Sequence, residues 1–298
     1  MDLIINLNKP RDITSHDAVS KVKRMLKAKK VGHAGTLDPL ATGVLIICAN
    51  RATRLSSYFS DQDKQYRAVM KLGEKTDTQD AYGTLIEKKD AVNFDRERLE
   101  DALLSQKGTI LQNPPMFSAL KHKGSPLYKL ARKGIEIERR SREITVREIE
   151  LLDIDFPYVT FRTVCSKGTY IRTLCDDIGN KLGTGAHLFQ LERSAVGQFH
   201  LDNSLTIEEL SAYKERIDVK GIYSMDKSLS WMPELMIHDT LVRSVKNGAP
   251  IKPSECDISS HELKSAKGIR IKSPDNELLA VGSYSPEKHV IRMNVVFT

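Results

Sequence analysis

Gly32-His33-Ala34-Gly35-Thr36-Leu37-Asp38-Pro39-Leu40-Ala41-Thr42-Gly43 places one acid, Asp38, in an otherwise uncharged run of small and apolar residues. An apolar run, Val44-Leu45-Ile46-Ile47-Cys48-Ala49, follows at once. The glycines and Pro39 read as a loop, and the apolar run as a buried strand. A loop backed by a core strand holds a carboxylate in a fixed place. Its small neighbours leave backbone room for a ligand. Leu37-Asp38-Pro39 alone fits equally an Asp that only caps a turn.

Outward from this loop, 298 residues suffice for two domains and a substantial core. Hydrophobic residues make up 40% and charged residues 29%, the balance of a globular protein. No apolar run approaches the roughly 18 residues of a membrane span. The segment Met1 to Lys9 reads as too short and polar for a signal peptide. Cys48, Cys165, Cys175 and Cys256 are scattered without zinc-ligand spacing, so no metal site is expected. Reduced thiols in a cytoplasmic protein are the simplest reading.

The net charge is +7, and it is unevenly distributed. Lys21, Lys23, Arg24, Lys27, Lys29 and Lys30 stand together without an acid. Residues 119–147 carry nine cations, Lys129, Arg132 and Lys133 among them, against Glu136, Glu138 and Glu143. Either cluster alone could be a solvated face. Two clusters, one on each side of the Asp38 loop in sequence, favour a polyanionic partner.

Thr14-Ser15-His16-Asp17 has the spacing of a capping box. Ala18, Val19, Val22, Met25 and Leu26 then recur at helical spacing, which predicts a helix to about Lys29. Tyr66–Leu72 reads as a strand and 73–83 as a polar loop. A helix is expected around 95–105, β structure over 144–155 and 159–165, and a strand over 186–193. Tyr170, Ile171, Leu174, Cys175, Ile178 and Leu182 form the clearest apolar stripe, a helix stopped by Gly183. After Trp231-Met232-Pro233 short strands dominate, and residues 233–298 carry a net of only +1. This predicts a separate small β-rich domain, with 1–232 able to remain soluble without it.

Further strings extend the pattern. Asn8-Lys9-Pro10 comes with Thr14-Ser15, and Lys64-Gln65-Tyr66 with Thr76-Asp77-Thr78-Gln79-Asp80. Gln112-Asn113-Pro114-Pro115-Met116-Phe117-Ser118-Ala119-Leu120-Lys121 follows. Ser166-Lys167-Gly168-Thr169-Tyr170-Ile171-Arg172 and Leu191-Glu192-Arg193 complete the set. With Gly35-Thr36-Leu37-Asp38-Pro39 they stand in the order found in the TruB family of pseudouridine synthases, which the chain resembles over most of residues 1–230. Two positions depart from that pattern: Asp12 and Asn50 stand where the family usually has glycine.

The resemblance implies an α+β fold, with a mixed, largely antiparallel sheet flanked by helices. A catalytic domain would span 1–232, with an RNA-gripping insertion at 119–147. A small PUA-like β-barrel domain would span 233–298. It implies isomerisation of uridine 55 in the T arm of tRNA, without a cofactor, by a monomer that needs no guide RNA or protein partner. Asp38 would be the catalytic acid and Arg172 its countercharge. The residues alone also allow Arg172 to pair with Asp176 one helical turn on.

Tyr66, which as a strand tyrosine fits a core equally well, would stack on the flipped base. Tyr170 and Leu191 would wall the uracil site, and His33 would enter the RNA. Lys9 and Asp80 would join the substrate site. Lys129, Arg132 and Lys133 would hold the RNA backbone. A guide-dependent synthase is a rival reading, but no long basic tail or docking extension is visible. An RNA-binding chaperone without chemistry is another, against which an intact Asp38, Tyr66 and Arg172 argue.

Overall fold

The computed structural model describes residues 1–89, 93–212, 218–256, 263 and 266–297. Ile4–Lys9 (β1) and Thr42–Ala49 (β2) pair antiparallel within the main sheet, Ile4 opposite Cys48 and Lys9 opposite Gly43. Val44 to Ala49 are fully buried, as an apolar run without alternation requires. Alternate side chains of β2 enter different cores: Leu45, Ile47 and Ala49 on one face, Val44, Ile46 and Cys48 on the other. Lys64–Leu72 (β3) instead alternates buried with more open positions.

Gly108–Gln112 (β4), Arg142–Asp155 (β5), Tyr158–Cys165 (β6), Ala186–Val196 (β7) and Ile222–Tyr223 (β8) complete the path β8-β1-β2-β7-β3-β6-β5-β4. The one parallel pair on this path joins β7 to β2, with Glu192 opposite Thr42 and Arg193 opposite Gly43. Short strands Val31–His33 and Phe199–His200 attach to β2 and β7. The sheet is thus mixed and largely antiparallel.

Ser15–Met25 (α1), Arg96–Leu104 (α2) and Ile171–Leu182 (α3) share one core with the sheet, through Val22, Leu99 and Leu174 among others. The capping box at Thr14 and Asp17 is formed. α1 ends before Lys29, because Lys27 turns left-handed (φ 49°) and donates its N–H to Arg24. α3 stops at Gly183, left-handed at φ 81°. Part of the expected loop at 73–83 is a strand, Glu74–Thr76, paired with Leu85–Lys88. Asn50 takes a left-handed φ of 52°, and its amide bonds Met1 and Lys29 backbone. No helix among the described residues is long and apolar enough to cross a membrane.

Glu234–Met236 (β9), Ile269–Lys272 (β10), Leu278–Ser285 (β11) and Val290–Val296 (β12) form a second sheet in that order. It has a core of its own, including Leu235, Val245, Ile271 and Leu279. Leu278, Val281 and Phe297 pack instead with Phe59, Phe199, Leu229 and Met232 in the core beneath β2. Asp226 adds ion pairs to Arg270 at 2.8 Å and Lys272 at 2.9 Å. Apolar side chains from both sides of residue 233 thus share one core, beside the core that the terminal sheet keeps to itself.

Removing 233–298 should uncover this shared core. Burial of an apolar side chain contributes about 1.5–3 kcal/mol. Loss of three should lower the melting temperature by about 10 °C or more, or leave the truncated chain insoluble. Thermal unfolding of 1–232 beside the full chain checks this. Melting points within about 2 °C of one another would show the shared core to be dispensable.

Candidate active site

The Asp38 loop is tied to the body of the protein on three sides. Arg193, 1% exposed, extends from β7 beneath it. Its guanidinium donates to the Val44 carbonyl at 2.7 Å, Gly35 at 3.0 Å and Thr36 at 3.4 Å. Ser15, the first residue of α1, exchanges two hydrogen bonds with Leu37: its hydroxyl donates to the carbonyl and accepts from the N–H. Lys9, fully buried at the end of β1, donates to the carbonyls of Pro10, Ile13 and Pro39. The Asp12 N–H adds a bond to Pro39. Asp38 therefore sits on a backbone with little freedom to move.

Arg172 meets it from the second position of α3. Its Nε lies 2.9 Å from Asp38 Oδ2, and its Nη2 donates to Oδ1 at 3.3 Å. The same guanidinium donates to the carbonyls of Thr78 and Phe117 and lies 3.5 Å from Asp80. Asp80 Oδ1 in turn accepts from the Thr78 hydroxyl and the Tyr82 N–H. The side chain of Arg172 is 4% exposed and that of Asp38 is 33% exposed. The cation is thus enclosed, while the carboxylate remains open on one side. Burial lifts the Asp38 carboxyl above its ordinary range, and Arg172 opposes that lift. Asp176 pairs with Lys75 at 3.4 Å, so the local alternative of an Arg172–Asp176 pair is not formed.

The other expected residues divide into two groups. Tyr66 on β3 and Tyr170 before α3 interact electrostatically with Asp38, while Leu191 lies on β7 and His33 ends the short strand paired with β2. Tyr66 lies opposite Arg193 in the β3–β7 register, 8% exposed. Burial raises its phenol, as it does that of Tyr170. Burial, then Arg193 and His16, lower the His33 imidazole, whose Nδ1 is enclosed without a partner.

Lys9 departs from expectation. Its ammonium bonds backbone carbonyls under the loop and does not line a substrate site, and burial pushes it down to about 8. Lys129, Arg132 and Lys133 are exposed, on and just after the short helix Leu127–Ala131. Asp12 adopts φ 68° and accepts a hydrogen bond from the Tyr82 hydroxyl, a side-chain tie that glycine would lack.

Two residues of this machinery are not evident from sequence reasoning. Ser15 reads as part of a helix start, and Arg193 as the end of a strand. The available signal was a cation, Arg193, at a strand position whose same-face neighbours, Leu191 and Ala195, are apolar. Such a residue, once buried, must find several acceptors.

The family description "TruB family pseudouridylate synthase (N terminal domain)" matches residues 23–171. "tRNA pseudouridylate synthase B C-terminal domain" matches 172–230. A chain in a Cbf5-Nop10-Gar1 complex is 28% identical with a TM-score of 0.77, over 99% of this chain and 85% of that one. A chain in an H/ACA RNP bound to a substrate RNA containing 2'-deoxyuridine is 26% identical with a TM-score of 0.74, at the same coverage. Fold and family match together define a pseudouridine synthase.

Among curated relatives, tRNA pseudouridine synthase B of Clostridium tetani is 46% identical over 252 residues, 85% of this chain and 86% of the relative. That of Clostridium kluyveri is 44% identical over 282 residues, 95% of each. The chain belongs to the TruB family.

Gly43 is the point where loop and sheet must fit most closely. It sits at φ 101°, and an added Cβ would overlap the backbone of Arg193. Gly43→Ala should destabilise the protein by about 3 kcal/mol or more, because neither strand backbone can give way cheaply. Denaturant unfolding reads this directly. A change under about 1 kcal/mol would mean that the junction is softer than its geometry implies.

Proposed function

We propose that this protein converts uridine 55 in the T arm of tRNA to pseudouridine, with Asp38 as the reacting carboxylate. The observation that carries this reading is the Asp38–Arg172 ion pair, an acid on a fixed loop matched to a buried guanidinium yet open on one side. The names of the curated relatives support the tRNA substrate.

The reaction breaks the bond between uracil N1 and ribose, turns the base and joins C5 to the same ribose carbon. N1 gains a proton and C5 loses one, so atoms and electrons balance without an oxidant, a reductant or a cofactor. An ionised carboxylate serves either by attack or by supporting elimination at the ribose. A base inside a folded loop must first leave its stack. Tyr66 is assigned to stack on it, Tyr170 and Leu191 to wall it, and His33 to fill space near the vacated position. Asp80 contacts Arg172 at Nη1 and belongs to the site as a positioning group. Lys9 acts through the loop.

The exposed cations of 119–147 are assigned to the RNA backbone, and the terminal sheet to a PUA-like RNA-binding role. The bacterial relatives support a stand-alone type, and the enzyme is assigned to work as a monomer in the cytoplasm without guide RNA or protein partner. A purely RNA-binding role would leave the Asp38–Arg172 pair without a task.

Asp38→Asn keeps the shape and removes the charge. It should bind unmodified tRNA normally and form no pseudouridine, as mapped by pseudouridine-specific sequencing. Turnover of even a few per cent of the parent would remove Asp38 from its role.

Neutralising Lys129, Arg132 and Lys133 together should weaken tRNA binding and flatten its salt dependence. The log–log slope should fall by roughly 0.9 for each duplex phosphate no longer neutralised, and by about 0.7 on a single strand. An unchanged slope would mark the stretch as a solvated face.

A further inference from the structure

Gln112-Asn113-Pro114-Pro115-Met116-Phe117 has a definite architecture that the proposed chemistry does not use directly. β4 is the outer strand of the main sheet and ends at Gln112, opposite Arg142 on β5. The Gln112 side chain is 2% exposed. Its amide grips the backbone of one residue with both ends. Oε1 accepts from the Tyr170 N–H at 2.8 Å, and Nε2 donates to the Tyr170 carbonyl at 3.0 Å.

Tyr170 is the extended residue from which α3 starts, and no side chain of its own caps that start. Its carbonyl also accepts the first helical bond, from the Leu174 N–H. Gln112 therefore orients the peptide from which the helix grows, two positions before Arg172. Farther along the same segment, the Phe117 carbonyl accepts from Arg172 Nη2 at 2.8 Å. One short stretch thus holds both the backbone that carries Arg172 and the guanidinium itself.

We propose that Gln112 is a positioning residue for the reaction: its two-bond clamp on Tyr170 fixes the first turn of α3 and so aims Arg172 at Asp38. The inference rests on the reading of Asp38 as the reacting carboxylate. The side-chain chemistry is specific. A carboxamide presents a donor and an acceptor side by side, matching a peptide's own C=O and N–H. Glutamate at this position keeps the acceptor for the Tyr170 N–H but sets a second acceptor against the Tyr170 carbonyl. The segment continues into the basic insertion, so the strand end that roots the RNA-gripping surface also aligns the ion pair.

Loosening Arg172 has an electrostatic consequence. The charged and titratable groups acting on or beside Asp38 are Arg172, Asp80, Lys9, Tyr66 and Tyr170. Burial raises the carboxyl and Arg172 is the largest opposing influence. A displaced guanidinium lets the carboxyl rise further, so activity should be lost at higher pH as the solution is acidified.

The test uses full-length protein and an unmodified tRNA transcript, with single-turnover rates across pH, tRNA affinity, and hydrogen exchange over residues 168–176. Gln112→Ala and Gln112→Glu should lower the rate constant about tenfold to a hundredfold. Affinity should stay within about twofold, since the lost interaction acts on the chemical step. The acid limb should move to higher pH, and the start of α3 should exchange faster. Gln112→Glu, close in volume, carries the same expectations if Gln112→Ala fails to fold.

A rate loss with the acid limb in place would reduce Gln112 to a structural residue and overturn the proposal. Unchanged exchange at the start of α3 would overturn it too. Asp38→Asn in the same assay tests the underlying reading separately. An active Asp38→Asn would remove that reading, and with it the proposed role for Gln112, whereas inactive Asp38→Asn beside an unaffected Gln112→Glu would count against Gln112 alone.

Discussion

A guanidinium that never loses its charge lies almost wholly inside this protein, and the site is organised around satisfying it. Arg172 cannot be neutralised, so burial obliges the fold to surround it with acceptors. Asp38, Asp80 and the carbonyls of Thr78 and Phe117 answer that demand. These acceptors come from three segments far apart in sequence, and the cation comes from a fourth. The same demand explains how a carboxylate can stay poised in a partly enclosed place where burial favours its protonated form.

Fixing the cation would achieve little if the acid could drift. The Asp38 loop is short of regular hydrogen bonds, and side chains outside the reacting group supply them. Arg193 comes from β7, Ser15 from α1 and Lys9 from β1. The parallel junction of β2 and β7 puts Arg193 directly under the loop, where glycine at position 43 allows the close approach. Preorganisation of this kind places a reacting group before the substrate arrives, so little rearrangement remains for the chemical step.

The periphery follows a different logic. The cations of the insertion are exposed and spread over short elements, as suits a partner whose charge is diffuse. The terminal sheet is joined more firmly. It shares a core with the catalytic sheet and locks onto Asp226 through two cations. A TruB-family catalytic unit and its terminal sheet are therefore packed as neighbours around common apolar side chains, even though their compositions differ.

The sequence by itself determined what depends on local chemistry and period: the loop and buried strand around Asp38, the capping box at Thr14, the apolar stripe of α3 and the string order that marks the family. Partner choice was not legible. Asp176 lies one helical turn from Arg172 and satisfies every local rule, yet Asp38, 134 positions away, is the partner. Lys9 looked available to a substrate until its neighbours were known, and the change in composition at 233 gave no sign that Val281 and Phe297 share a core with the main sheet. Periodicity reports which face of an element is apolar; it does not report which distant polar group will fill a buried cation's coordination. Only closure of the chain brings those groups together, and the cost of leaving a buried charge unpaired then selects among them.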